Sequence, residues 1–247
     1  MFFHRSVILT FIILIIFFQH NVYAQTDSTV PDKTESFMPF LLPLVLISAG
    51  AAVSGSEVEK DIQKYIRESA GNDFSCQADD YIVFMPAAEV YIFDWMGFKA
   101  KNNFWDRTKN MVLANLASQA LVQGLKYTTD KERPNGEDRY SFPSNHTNVA
   151  FTNATILFHE YKDSNNYIAY SGFVFAAATG ALRIMNNDHW TGDVLAGAGI
   201  GILCSNLVYH FEPLKEWQPF ETGKDKNIVM LPQFGKDRFG MILSINF

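Results

Sequence analysis

The sequence predicts an all-α domain that ends in a small β-hairpin, and three observations carry that prediction. Apolar residues recur at helical spacing through successive segments between residues 37 and 211. The composition supplies a core for those helices, since 48% of residues are hydrophobic and 22 of the 247 are Phe. Beyond Pro213 the pattern changes from helical to alternating. A chain of this length holds one sizeable domain or two small ones. Its net charge of −6 and the lack of any basic block exclude nucleic acid as a partner, because an acidic surface repels a phosphate backbone.

Residues 1–24 are expected to be a cleaved signal peptide. Arg5 closes a short basic start, residues 7–18 are apolar, and Val22-Tyr23-Ala24 offers a small-residue cleavage site. An uncleaved anchor helix is the alternative. Export places the remainder in the periplasm or against a cell-envelope membrane, an oxidising setting in which Cys76 and Cys204 could pair. Cys204 lies within an apolar helical pattern, however, where a buried free thiol fits at least as well. Residues 25–36 are polar and unpatterned, a tether.

Residues 37–53 are uncharged and carry Pro39 and Pro43. They are borderline in length for a membrane span, and suit equally a buried or membrane-lying first helix. Residues 57–68 form an amphipathic helix with Val58, Ile62 and Ile66 along one stripe. A short apolar run at 81–86 continues through 87–97. Residues 105–126 make a long helix in which Met111, Val112, Leu116, Ala120, Leu121 and Leu125 are interleaved with Asn115, Ser118, Gln119 and Gln123. Segments 148–161, 167–182 and 192–211 complete the set. The last is rich in small residues (Ala196, Gly197, Ala198, Gly199, Gly201), which lets helices approach closely.

The apolar part of the 148–161 segment, residues 148–158, gives about 16 Å of helix against a hydrocarbon core of about 30 Å. With four polar side chains in the middle of 105–126, the expectation is a globular helical core rather than a six-span bundle, resting on a membrane through residues 37–53. At the C-terminus, residues 227–233 and 239–247 read as two strands of a hairpin. In the second, Met241, Leu243, Ile245 and Phe247 alternate with Ile242, Ser244 and Asn246. The domain boundaries expected are therefore 1–24 signal peptide, 25–36 tether, 37–215 helical domain and 216–247 extension with the hairpin.

Three polar stretches stand out from this frame. Lys126 ends a helix and Arg133 follows ahead of Pro134, which biases the arginine towards extended backbone as the helix stops. Ser141-Phe142-Pro143-Ser144-Asn145-His146 is a turn feeding a helix, so its backbone N–H groups and hydroxyls form an anion nest or a simple N-cap. In the third stretch Arg183, His189 and Asp193 are spaced so that the carboxylate, four residues on, shares a helix face with the imidazole and can orient it. Each is ordinary alone.

In order they read Lys-x6-Arg-Pro, Pro-Ser-Asn-His and Arg-x5-His-x3-Asp, from Lys126 to Asp193. In that form the chain resembles the type 2 phosphatidic acid phosphatase superfamily, which also holds bacterial acid phosphatases and vanadium haloperoxidases. The resemblance implies a helical bundle of the acid phosphatase/vanadium haloperoxidase type, with the three motifs meeting at one phosphate site. It implies His189 as nucleophile, Asp193 as the group that holds its ring, and His146 as general acid. Lys126, Arg133 and Arg183 would bind the phosphoryl oxygens, with Ser144 and the Asn145 N–H completing the cradle. It implies neither metal nor cofactor, because the cations supply the charge that a metal ion supplies elsewhere.

Two positions depart from the family's pattern. Asn145 stands where Gly is usual, and Asn tolerates left-handed backbone better than most residues. Leu182 stands where Ser commonly precedes the arginine. Both bear on substrate preference rather than on a group that does chemistry. The expected substrate is a phosphate monoester or diphosphate, of a lipid or of a small soluble ester. The alternatives are a vanadium haloperoxidase and a non-catalytic phospholipid-binding envelope protein, although a pure binder would need only the cations. The sequence carries no signal for an oligomeric state.

Overall fold

A computed structural model describes residues 37–211 apart from Asn72, together with the backbone of two C-terminal strands. The expected signal peptide and tether, and residues 212–226, lie outside the described residues. The first helix, α1 (Met38–Val53), carries Pro39 in its first turn, where a missing N–H costs no helical bond. Ser56 caps α2 (Glu57–Ala70) by accepting from the Glu59 N–H at 3.2 Å. The pair bends by 94° at the break between them. Two short helices follow, α3 (Asp79–Ile82) and α4 (Met85–Trp95). Four long helices complete the body: α5 (Phe104–Thr129), α6 (Asn145–Tyr161), α7 (Asn166–Met185) and α8 (Thr191–His210). Beyond them β1 (Asn227–Gly235) pairs antiparallel with β2 (Arg238–Asn246), Ile228 opposite Ile245.

Helix α8 is the centre. It packs on α1, α5 and α6, while α7 covers the other side of α6. Two glycines permit the close approach. A Cβ on Gly199 would lie 2.7 Å from the Pro43 carbonyl of α1, and one on Gly197 would lie 2.5 Å from the Ser144 carbonyl at the start of α6. The ends of the helices then fall into two groups. The C-termini of α1, α5 and α7 meet the N-termini of α6 and α8 at one end, where the Ser144 N–H donates to the Asp193 carbonyl at 3.0 Å. The opposite ends meet around Glu160 and Tyr209.

The side chains correct the expectation of a globular core. On α5 two of the four polar positions turn inward: Ser118 is fully buried and accepts from Asn148 Nδ2 at 3.1 Å, and Asn115 Nδ2 donates to Asn153 Oδ1 at 3.0 Å. Its apolar residues Val112, Leu116 and Leu121 face outward. Leu41, Leu42 and Val45 of α1 and Tyr170 and Val174 of α7 are exposed too. On α2, Glu59 and Gln63 are buried while Val58, Ile62 and Tyr65 are exposed, the reverse of the expected stripe. Polar residues in mid-helix therefore do not mark a water-facing side here, because they bond to one another between helices. Helix α6 begins at Asn145 and is 17 residues long, about 25 Å. Helices α7 and α8, of 20 residues each, are long and apolar enough to cross a membrane, and the bent α1–α2 pair would count as a third. Cys76 and Cys204 are both free thiols, the second buried beside Ile47, Val122 and Ile200.

Candidate active site

Lys126 occupies the last turn of α5, and its ammonium is buried, donating to the Tyr140 carbonyl. Burial first, then the nearby Arg133 cation, lowers its pKa to about 8 against the pull of Asp193 and Asp138. Asp130 ends the helix in left-handed backbone, and the chain turns tightly, with the Arg133 N–H donating to Asp138 O and the Gly136 N–H to Arg133 O, both at 3.0 Å. The Arg133 guanidinium is held by Asp138 Oδ1 at 2.8 Å and by the Asp188 carbonyl at 3.3 Å.

Ser144 stands at the N-cap position of α6, but its side chain makes no cap bond. It is fully buried, and its hydroxyl accepts from Thr147 Oγ1 at 2.9 Å instead. Asn145 lies in the right-handed first turn, so its tolerance of left-handed backbone is not used; the non-glycine residues with positive φ are Asp130 and Asn187 among those described. The Asn145 side-chain carbonyl is buried without a partner. One residue on, His146 Nε2 lies 3.2 Å from Asp80 Oδ1. Burial, then the Arg183 charge, lowers the His146 pKa, with Asp79 and Asp80 opposing.

Arg183, in the last turn of α7, lies between two carboxylates, Asp79 Oδ2 at 2.8 Å and Asp188 Oδ2 at 3.0 Å. After it the chain reverses through Asn187 in left-handed backbone (φ 64°), and the His189 N–H donates back to the Arg183 carbonyl at 3.2 Å. Gln63 of α2 clamps this loop, its Nε2 donating to Ile184 O at 3.0 Å and Asn187 Oδ1 at 2.8 Å. Asn186 ties it to the chain before α3, exchanging bonds with the Cys76 backbone at 2.8 and 2.9 Å.

His189 therefore precedes the N-cap of α8 rather than sharing a helix face with Asp193, which sits at the third helical position. Its Nδ1 still faces Asp193 Oδ2, at 3.5 Å and without hydrogen-bond geometry. His189 is 1% exposed. That burial holds its pKa down at about 4; Asp193 acts the other way, and Lys126 and Arg133 add to the lowering.

The structure thus brings Lys126, Arg133, Ser144, Asn145, His146, Arg183, His189 and Asp193 to one end of the bundle. Three cations around a neutral imidazole, at the first turns of two helices, suit a tetrahedral oxyanion. Among the described residues no three His, Cys, Asp or Glu side chains gather as a metal site. Sequence reasoning missed Asp79, Asp80 and Asp188, which pair with the arginine and histidine, and Glu59 and Lys131 behind Asp193. Asp188 and Lys131 lay within the motifs as unnamed spacers. Asp79 carried no signal, since its partner Arg183 is 104 residues away in the chain.

The chain is also similar to known proteins. Residues 107–217 match the model of the PAP2 superfamily. The chain is 31% identical over 177 residues to a "Lipid A 1-phosphatase" of Porphyromonas gingivalis, a match that takes in 70% of this chain and 38% of that protein. The chain thus spans less than half the length of that curated relative. Among solved structures, the transmembrane PAP2 type phosphatidylglycerolphosphate phosphatase of Bacillus subtilis superposes with a TM-score of 0.53 at 23% identity, covering 75% of this chain and 100% of the other. Aquifex aeolicus LpxE gives a TM-score of 0.49 at 23% identity, over 64% of this chain and 99% of the other.

Proposed function

The chain belongs to the PAP2 superfamily through residues 107–217, and from that premise we propose that it is a metal-independent phosphatase of phosphate monoesters or diphosphates borne by a lipid. The observation that carries this reading is the convergence of Lys126 and Arg133, with Arg183 near Lys126, on a buried His189 whose Nδ1 is turned to Asp193. That orientation leaves Nε2 as the nucleophilic atom. Its lone pair forms a bond to phosphorus while the bond to the leaving oxygen breaks, and His146 gives that oxygen a proton. The imidazole becomes a phosphohistidine cation, retaining its proton on Nδ1 towards Asp193. Water then attacks phosphorus, His146 accepts its proton, and the P–N bond breaks to return neutral His189. The three cations stabilise charge on the phosphoryl oxygens at both stages.

A lipid substrate is supported by the outward apolar faces of α1, α5 and α7, by helices long enough to cross a bilayer, and by the relative that acts on a lipid phosphate. In this reading residues 37–215 are the helical phosphatase domain, and residues 216–247 are an extension bearing the β-hairpin. The basic start and apolar run of residues 1–24, read as a signal peptide, support a site on the exported side of the inner membrane.

The test is phosphate release in EDTA by the purified protein, wild type beside His189→Ala, on phosphatidic acid in mixed micelles and on a soluble aryl phosphate. Release should survive EDTA, favour the lipid, fall to vanadate and drop by about 10⁴-fold or more in the variant. Equal release by His189→Ala would overturn the phosphohistidine step. A preference for the soluble ester would overturn the lipid assignment alone.

A further inference from the structure

Behind His189 a line of charge continues into residues that carry no motif role. Asp193 is fully buried, and its two oxygens face different ways. Oδ2 accepts from the Trp190 N–H at 2.9 Å and from the Ser141 hydroxyl, and faces His189. Oδ1 accepts from Lys131 Nζ at 2.8 Å. Lys131 in turn lies 2.9 Å from both carboxylate oxygens of Glu59, itself 1% exposed and held by the Gly192 and Gly55 N–H groups at 2.9 and 2.7 Å. The rings of Trp190 and Phe142 flank the ammonium at 5.7 and 5.8 Å. Helix α2 is thus joined to the candidate nucleophile through one unbroken chain of alternating charge.

We propose that Glu59 and Lys131 are positioning residues of this site, and that the chain Glu59–Lys131–Asp193 sets how much negative charge His189 meets. The inference rests on the reading of His189 as nucleophile. With a neutral imidazole the chain carries one net negative charge; with the cationic ring of a phosphohistidine it carries none. Each member has a separate part in that balance. Without Lys131, two carboxylates would share one buried region and one would take up a proton, as paired carboxylates do. Without Glu59, the full charge of Lys131 would fall on Asp193 and leave little for a cationic ring. The other groups facing His189 are Lys126 of α5 and Arg133 of the following loop, which act against the cation. Arg183 of α7 is taken up by Asp79 and Asp188, and His146 of α6 by Asp80. Among the described residues, only the Glu59–Lys131 arm touches Asp193 with charge from outside the cradle.

A merely structural clamp and a charge relay differ in the pH profile. The acid limb of kcat/KM reports the first proton taken up by the coupled His189–Asp193 pair. Lys131→Met removes positive charge beside the pair, so the limb should move up by about one pH unit. Glu59→Gln, nearly isosteric, removes negative charge and should move it down by about as much. The double variant should return towards wild type, and Lys131→Arg should leave the limb in place. The measurement is kcat/KM on phosphatidic acid in mixed micelles from pH 2.5 to 8 for the full chain and these four variants, with thermal midpoints alongside. Opposite shifts that cancel in the double variant establish the relay. Limbs that stay put, or that move the same way in both single variants while thermal midpoints fall, overturn it. Should Lys131→Met fail to fold, Glu59→Gln decides, because an unshifted limb there is also fatal. His189→Ala separates the two readings: a dead variant with unmoved limbs sinks only the relay, whereas a live one sinks the nucleophile.

Discussion

At the end of the bundle away from the motifs, Glu160 is as deeply buried as His189, and it is surrounded by donors. It accepts from the Asn102 backbone and side chain at 2.9 and 2.7 Å and from the Tyr209 hydroxyl. Arg107, also buried, is bonded to Asp94 at 2.7 Å and lies 5.1 Å from the Tyr91 ring centre. His159 stacks on Tyr209 with ring centres 4.4 Å apart and bonds to Asn206 at 2.8 Å. At the motif end Lys126 is buried beside two guanidinium groups, and its ammonium is held by a carbonyl rather than a carboxylate. Both ends bury charge, so burial does not distinguish them. The far end pairs opposite charges and neutral donors, which suits stability. The motif end holds Arg133 and Arg183 on carboxylates but leaves the Lys126 ammonium on a carbonyl beside them, a repulsion that an arriving anion would relieve, and such an arrangement suits a site.

This contrast is open to attack from both sides. After His189→Ala, the largest effect is expected of Lys126→Met, which should lower kcat/KM by about 10²–10³-fold on loss of one oxyanion-binding donor. It should leave the thermal midpoint unchanged or raised, since a desolvated and repelled cation is removed. A lowered midpoint would show Lys126 to be a structural residue like Arg107.

Next comes pH. His189 must be neutral to attack, so activity falls below its pKa of about 4. His146 must be protonated to serve as acid, and its pKa is lowered from the ordinary 6.5, so activity falls above that lowered value. The kcat/KM profile should be a bell with its maximum between about 4 and 6.5. A maximum in alkali would contradict both assignments.

A smaller loss is expected of Gly197→Ala, whose methyl group would push on the Ser144 carbonyl and displace the start of α6. Misplacement of this kind costs about 10- to 100-fold in turnover. The same substitution at Gly124, where a Cβ meets nothing within 4 Å, serves as the control.

The smallest effect on catalysis belongs to Arg107→Met, which should change kcat/KM less than about twofold. It should cost about 2–3 kcal/mol of stability by stripping positive charge from beside buried Glu160. Heat or denaturant unfolding in detergent, run beside the assay, measures both.

Some residue patterns at short range were legible. The spacing from Lys126 to Arg133 and from Arg183 to Asp193 and the small residues of α8 each act within a few turns of chain. The long helices fell where the periodicity set them, α6 beginning three residues earlier because its first turn holds Asn145 and His146. What was misjudged is direction. Periodicity locates an apolar stripe but does not say whether it faces a core or a lipid, and on α2 and in the middle of α5 polar residues face inward while apolar ones face out.

The sequence by itself determined the helical class and the order of the long helices, because helix formation is a local property, and it singled out eight candidate residues through a family resemblance. Only the tertiary structure decided which carboxylates hold Arg183 and His146, that His189 precedes its helix, and that Glu59 reaches Asp193 through Lys131. The physical reason is sequence separation. Asp79 and Arg183 stand 104 residues apart and Glu59 and Lys131 stand 72 apart, and such pairs are set by how helices pack, which no local pattern encodes.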